Sequence, residues 1–405
     1  MNTDFMSQTE KDVLTLIGYA YKGEKMPKGM AKDYNWREIF DELLKQAMIS
    51  VPIDIVNEEE LPSELFEEWI EYSVNTILQH EMIGIAQDEL IELADANGIA
   101  IAILKGLAAA KDYPNPLYRA LGDIDFLVKR ADFDKMLKIM SESGYALTHP
   151  IDHTEYHVTL QKGEVIYELH REPAGIGHNA KSEYIRARLE SAMDRIERAQ
   201  ENGHEIRLLP EEEHSLVLML HLVKHLDEGI GLRQLCDWLS CAEANISDEA
   251  WSEKYSSVYE AAGLGSMAKA VTKLGKLYFG TGQSIHWCDE ADARICERLM
   301  EFAVQNGNFG MKDDTARSSM KFTDKTREQG SGSTASIFKK LQKIGEREWK
   351  ALAKHERLRP FAWLYAIFRY IYLVLSGKRD MGYLKKLKKT INTKQELQNA
   401  LEIFK

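Results

Sequence analysis

The hydrophobic period of this chain changes twice, and those changes limit the possible folds more than any other feature. From Glu10 to about Gly98, apolar residues recur at intervals of three and four, as in WREIFDELLKQAM and in the long run from Leu65 through Leu93. That is the spacing of amphipathic helices, and Pro62, Ser63 and Glu64 make a helix start. The period then breaks. Ile99 to Gly106 (IAIAILKG) is a short, β-branched apolar run of the kind that forms a buried strand. A short alanine-rich helix is expected after Gly106, then a loop with Pro114 and Pro116, and then the strand-like DIDFLV. DFDKMLKIMSES reads as a helix closed by Gly144, and EYHVTLQ and EVIYELH as two strands joined by a turn at Lys162-Gly163. Helical periodicity returns at Glu211 and holds to about Val304, with breaks near Asn245 and Gly280. These patterns predict an α+β chain with a small mixed sheet between helical regions.

Within the strand-like part, Gly122-Asp123-Ile124-Asp125-Phe126-Leu127-Val128 carries the most chemistry. Side chains alternate along a strand, so Asp123 and Asp125 share one face while Ile124, Phe126 and Val128 face a core. Two carboxylates so placed repel each other unless a cation lies between them, and magnesium is the hard, oxygen-preferring ion that suits them. Glu168, set in VIYELH among apolar neighbours, is costly to bury unpaired. If its strand lies beside DIDFLV, it completes a three-carboxylate cluster. Two metal ions held there can activate a hydroxyl and stabilise a leaving pyrophosphate. His170 shares the face of Glu168 and can order the site.

Upstream, Lys105-Gly106 ends a strand where a helix begins, so backbone N–H groups and the lysine charge can hold a triphosphate. Arg119, four residues before Asp123, either grips a phosphate or pairs with a surface acid. The order KG, then R-x-x-GDIDFLV, then YELH resembles the uncharacterised nucleotidyltransferase family NTP-transferase 5, within the polymerase β-like superfamily, over Trp36 to Asp237. The resemblance implies a small polymerase β-like core with Asp123, Asp125 and Glu168 as metal ligands and catalytic residues. It also implies Mg2+, with Mn2+ as an alternative, and transfer of a nucleoside monophosphate from a triphosphate to a hydroxyl. Lys105, Gly106, Arg119 and Gly122 are the expected nucleotide-binding residues. Gly106-Leu107 stands where the superfamily usually carries Gly-Ser or Gly-Gly, which motivates a second reading as a nucleotide-sensing or partner-binding module.

The helical stretch SLVLMLHLVKHLDEGIGLRQLCDWLSCA is apolar apart from residues that include His221, His225, Arg233 and Asp237. His221 and His225 have a spacing that can hold zinc, but no third ligand lies nearby in sequence. A buried histidine pair and contact with the acceptor are the other readings. By resemblance, the acceptor lies between the α/β unit and the helices, so His170, His221, Arg233 and Asp237 are candidates for its side.

Charge bears on the partner. The formal charge of −12 argues against a general nucleic-acid binder, because phosphate backbones are held mainly by lysine and arginine. The expected acceptor is therefore a small molecule or a protein. From Phe338 onward, 17 basic side chains face 6 acidic ones, so the tail is strongly cationic and the rest more acidic still. The tail's apolar stretch PFAWLYAIFRYIYLVLSG has Arg369 near its middle, which disfavours a transmembrane span. A packed helix or peripheral docking on an anionic membrane fits better, and a membrane-surface assembly protein is the third reading. Cys236, Cys241, Cys288 and Cys296 form no C-x-x-C pair and are expected to be reduced. The N-terminus lacks a signal-peptide pattern, so a cytoplasmic location is expected. The expected regions are helical 1–97, nucleotidyltransferase core 98–204, helical 205–310, polar linker or loop 311–337 and basic helical tail 338–405.

Overall fold

The computed structural model describes residues 3–151, 156–312, 342, 345–346, 349, 356–376 and 383–405. Three helices precede the sheet: α1 (Gln8–Lys22), α2 (Trp36–Lys45) and the long α3 (Ser63–Ala96). Helix α3 starts at Ser63, directly after Pro62, and its buried residues Ile83, Leu90, Ile91 and Ala94 form a stripe that covers the sheet. The strands are β1 (Ile101–Ile103), β2 (Asp123–Val128), β3 (Ala146–Leu147), β4 (His157–Lys162) and β5 (Val165–His170). Between them lie α4 (Leu107–Ala110) and α5 (Phe133–Glu142).

The sheet has the order β1-β2-β5-β4-β3. Strands β2 and β5 run parallel and the other neighbours antiparallel, so the sheet is mixed, as expected. Alternation divides its two faces. Ile124, Phe126, Val128, Tyr167 and Leu169 pack in one core with Met136 and Met140 of α5 and the stripe of α3. The opposite face carries Asp123, Asp125, Glu168 and His170 and turns toward the helices that follow.

Two expectations need correcting. The core boundary expected at 204 cuts through a hairpin, β6 (Glu197–Glu201) paired with β7 (His204–Leu208). Its turn is Asn202-Gly203, both with positive φ, a pair that suits tight hairpins and could have been read from the sequence. Ile206 and Leu208 join the sheet core, so the α/β part extends at least to Leu208. The helical stretch over Ser215 to Ala242 is likewise two helices after α6 (Ala180–Ala192): α7 (Glu211–Glu228) and α8 (Leu232–Asn245). Gly229, at φ +112, breaks them.

Met1–Lys312 together with Leu397–Lys405 form one compact unit, and Asp313–Glu396 form a second. The three regions expected over 1–97, 98–204 and 205–310 thus lie in a single unit. The expected linker falls outside the described residues except at 311–312. In the second unit, helix Ala362–Leu375 exposes Phe368, Ile371 and Tyr372. Among the described residues, no helix is long and apolar enough to cross a membrane.

Candidate active site

Parallel pairing of β2 with β5 sets Asp125 directly opposite Glu168 and Leu127 opposite His170. Asp123, one alternation earlier, lies on the same face. The register therefore brings Asp123, Asp125 and Glu168 to one patch. One donor atom each from Asp125, Glu168 and His170 lie within 4.8 Å of one another, a set that could hold a metal ion. His170 is thus closer to the heart of the cluster than an acceptor-side role requires.

The charges are balanced unevenly. Lys105 follows β1, and its Nζ lies 2.8 Å from Asp125 Oδ1. His170 Nε2 donates to the same oxygen at 3.1 Å and lies 3.4 Å from Glu168 Oε2. Burial opposes the charge of Lys105, but Asp125, Asp123 and Glu168 outweigh it and raise its pKa. His170 behaves alike: burial disfavours its imidazolium, and the bonds to Asp125 and Glu168 push its pKa up. Burial also opposes the charge of Glu168, yet the His170 hydrogen bond and Lys105 hold it well below the usual carboxylate range. Asp123 is the group left over, raised first by the charge of Asp125 and then by burial.

A cation fits this arrangement on two grounds. Asp125 is 1% exposed, and its Oδ2 is buried without a hydrogen-bond partner, an arrangement that costs free energy unless something binds there. The donor set is carboxylate oxygens with one imidazole, which suits divalent ions. Asp125, Glu168 and His170 would be the nearest ligands, with Asp123 beside them.

Beside the cluster a small open cavity is lined by Lys105, Asp125, His170, His221 and Lys224, among others. Lys224, on α7 between the two histidines, was not singled out in the sequence reading. Its Nζ lies 5.4 Å from the ring centroid of Tyr156, which stacks on His170 at 5.7 Å. Burial works against its charge, but Tyr156 and Glu228 raise its pKa. His157 also joins the site, with Nε2 3.6 Å from Glu168 Oε1, and burial pushes its pKa down to about 4. A lysine on a helix and a histidine on a strand carry no local signal; only the packing of α7 over the sheet face brings them here.

The remaining expected site residues divide. Gly106 has φ +63, a left-handed conformation that favours glycine. It leads into α4, a single turn of helix whose dipole is slight, so the positive charge at this turn is that of Lys105. Gly122 has open space around it and ordinary backbone, so nothing in its surroundings demands glycine. Arg119 is 2% exposed and grips Asp237 by both carboxylate oxygens, Nε to Oδ1 at 2.7 Å and Nη2 to Oδ2 at 2.8 Å. Tyr113 donates to the same carboxylate at 2.7 Å. Both members of the pair are spent on each other. This pairing favours the acid partner for Arg119 over the phosphate, although the acid is a buried one and not on the surface. Arg233 does face the site: its Nη1 donates to Ala120 O at 3.1 Å, and its charge acts on Asp123. His221 and His225 form a buried pair, Nε2 to Nε2 at 2.7 Å. Burial first, and then neighbouring cations, hold both well below the ordinary histidine pKa, so neither is charged near neutrality. His221 additionally borders the cavity.

A family model described as an uncharacterised nucleotidyltransferase, NTP-transferase 5, matches residues 41–280. The chain belongs to this family. The matched span runs from within α2 past α8, so the match to NTP-transferase 5 takes in both the carboxylate face and the helices α7 and α8. Membership gives the chain a general nucleotidyl-transfer role. None of the curated proteins compared with the chain matches it.

Proposed function

We propose that this chain transfers a nucleoside monophosphate from a nucleoside triphosphate to a hydroxyl of a small-molecule or protein acceptor, at a polymerase β-like site built on Asp123, Asp125 and Glu168. The observation that carries the reading is the opposed Asp125–Glu168 pair with one buried Asp125 oxygen left without a partner. Asp125, Glu168 and His170, with Asp123, would hold Mg2+ or Mn2+, and the imidazole in the set favours Mn2+ at least as well as Mg2+. A bound divalent ion would lower the pKa of the attacking hydroxyl and neutralise charge on the departing pyrophosphate. Lys105, already beside Asp125, supplies a cation for the phosphates, and Lys224 and Arg233 add two more at the margins of the site. Glu168 stays ionised through His170 and Lys105, so it is available as a charged ligand at neutral pH.

The test is calorimetric binding of each triphosphate with Mn2+ or Mg2+, together with pyrophosphate release in the presence of hydroxyl-bearing acceptors. Wild type should bind a triphosphate only when a divalent ion is present, and Asp125→Asn should abolish both that binding and turnover. Absence of triphosphate binding with either ion would refute the reading. Binding without pyrophosphate release across acceptors would favour the nucleotide-sensing module, which the buried Leu107 at the phosphate turn supports, since no side-chain hydroxyl stands there. The exposed Phe368, Ile371 and Tyr372 support peripheral membrane contact, and failure of the intact chain to bind anionic vesicles at low salt would remove it.

A further inference from the structure

A nucleotidyl-transfer site needs a surface for the base as well as for the phosphates, and the turn between α7 and α8 holds a candidate. The backbone of 307–310 is wedged against that turn. A Cβ on Gly229 would lie 2.5 Å from Gly310 N, and one on Gly231 would lie 2.5 Å from Asn308 N. Gln234 clamps the same loop, donating from Nε2 to Asn308 Oδ1 at 2.6 Å while its Oε1 accepts from Gly231 N at 2.9 Å. Asn308 and Gly310 are buried. Phe309 between them is 38% exposed and sits at φ +52, ψ +30. Left-handed backbone is uncommon for a bulky residue and persists only where the surroundings impose it, often at a binding site. Here the clamp keeps a large apolar ring partly exposed, with its covered side against His225 and Arg233.

The ring is packed against two polar side chains. The Arg233 guanidinium carbon lies 5.4 Å from its centroid and the His225 ring 4.8 Å. Arg233 Nε is buried without a hydrogen-bond partner, whereas the fully buried His225 has its Nδ1 3.7 Å from Glu228 Oε2. Each residue leads back to the carboxylates. Arg233 bonds to Ala120 O, three residues before Asp123, and its charge acts on Asp123. His225 bonds to His221, which borders the cavity with Lys105 and Asp125.

We infer that Phe309 is the stacking platform for the base of the bound nucleoside triphosphate, with the Arg233 guanidinium beside the ring. The inference rests on the nucleotidyl-transfer reading and extends it to a residue outside the matched family span. An aromatic face accepts any base, because every base has a π-face, and a neighbouring guanidinium strengthens the stack.

The experiment compares ATP with inorganic tripolyphosphate, each with Mn2+, by calorimetry on the full chain. Wild type should bind ATP the more tightly. Phe309→Ala should weaken ATP by about tenfold, within the range for loss of one stacked base, and leave tripolyphosphate unchanged. Phe309→Gly, at ease in left-handed backbone, should fold at least as well and show the same selective loss, whereas Phe309→Trp should retain ATP and show fluorescence quenched by ATP alone. Unchanged ATP affinity in the Ala and Gly variants, or an equal loss for both ligands, overturns the platform while leaving the phosphate site standing. Wild type that binds tripolyphosphate as tightly as ATP does so too. Wild type that binds neither ligand overturns the nucleotidyl-transfer reading itself, and the platform with it.

Discussion

At the scale of single residues, the site without metal is neutralised by its own side chains. Asp125 is almost wholly buried and has two cationic partners on one oxygen, Lys105 at 2.8 Å and His170 at 3.1 Å. Removing Lys105 leaves a buried carboxylate with His170 alone. Lys105→Met should therefore cost about 3 kcal/mol in the absence of divalent ions, the low end for a buried pair broken on one side, because His170 remains. Manganese should then raise the melting temperature of the variant more than that of wild type, since the ion no longer competes with an ammonium and stabilises by mass action. Triphosphate affinity should fall. Thermal melts with EDTA and with Mn2+ decide the matter, and an identical metal-induced shift in the two proteins would show that Lys105 does not guard the cluster. Asp123 and Asp125 were legible as a pair because strand alternation is a local rule: two residues apart means one face; Glu168 joins them only through the pairing of β2 with β5. Lys224, His157 and Phe309 were not, because each acquires its role from a neighbour far away in the chain.

At the scale of elements, the site depends on how the segment before β2 is tied to α8. That tie is the Arg119–Asp237 pair, 118 residues apart in sequence and 2% exposed at both ends. Burial opposes the charge of Asp237, and Arg119 overrides it and lowers its pKa. His80 of α3 reaches the same segment, its ring Nε2 2.6 Å from Arg119 O. Arg119→Met should destabilise the chain by about 3–5 kcal/mol, as expected when one partner of a buried pair is removed. Arg119→Lys should recover only part, because an ammonium cannot reproduce the two-pronged contact. Denaturant unfolding measures both. If Arg119→Met kept full stability and lost only triphosphate affinity, the phosphate role first expected for this arginine would return. The sequence left Arg119 open between a phosphate and an acid, and the choice depended on a helix whose position no local pattern encodes. The break at Gly229 was missed for a related reason: apolar periodicity runs on through it, and what requires glycine is the approach of residues 307–310.

At the scale of the whole molecule, the basic tail ends by rejoining the body that carries the site. Leu397 and Leu401 are fully buried, and Ile403 and Phe404 nearly so, all within the core cluster of Met1–Lys312. The backbone is docked as well as the side chains. Phe404 N donates to Gly263 O at 2.7 Å, and Asn179 Nδ2 donates to Phe404 O at 3.2 Å. Gly263 must be glycine for this, since a Cβ there would lie 2.8 Å from the Phe404 Cα. Gln398 Nε2 donates to Asp227 Oδ1 at 2.9 Å, near the C-terminal end of α7. The sequence shows 338–405 as one cationic region, and net charge masks the four apolar residues that make its last turn part of the core. Charge describes the solvated face of such a segment, whereas burial is decided by the few side chains on the other. Phe404→Ala should therefore cost about 3–5 kcal/mol and Leu401→Ala about 2–5, values typical of large-to-small changes in a packed core. Because the segment packs against α6 and α7 on the side of Asn179 and Asp227, loosening it should also weaken triphosphate binding by way of α7, which carries Lys224 and His221. Urea unfolding of the two variants, set beside triphosphate calorimetry at a temperature where both remain folded, separates the effects. Near-wild-type stability in both variants would mean that this segment is not part of the core, and lost stability with unchanged affinity would mean that it supports the fold without bearing on the site.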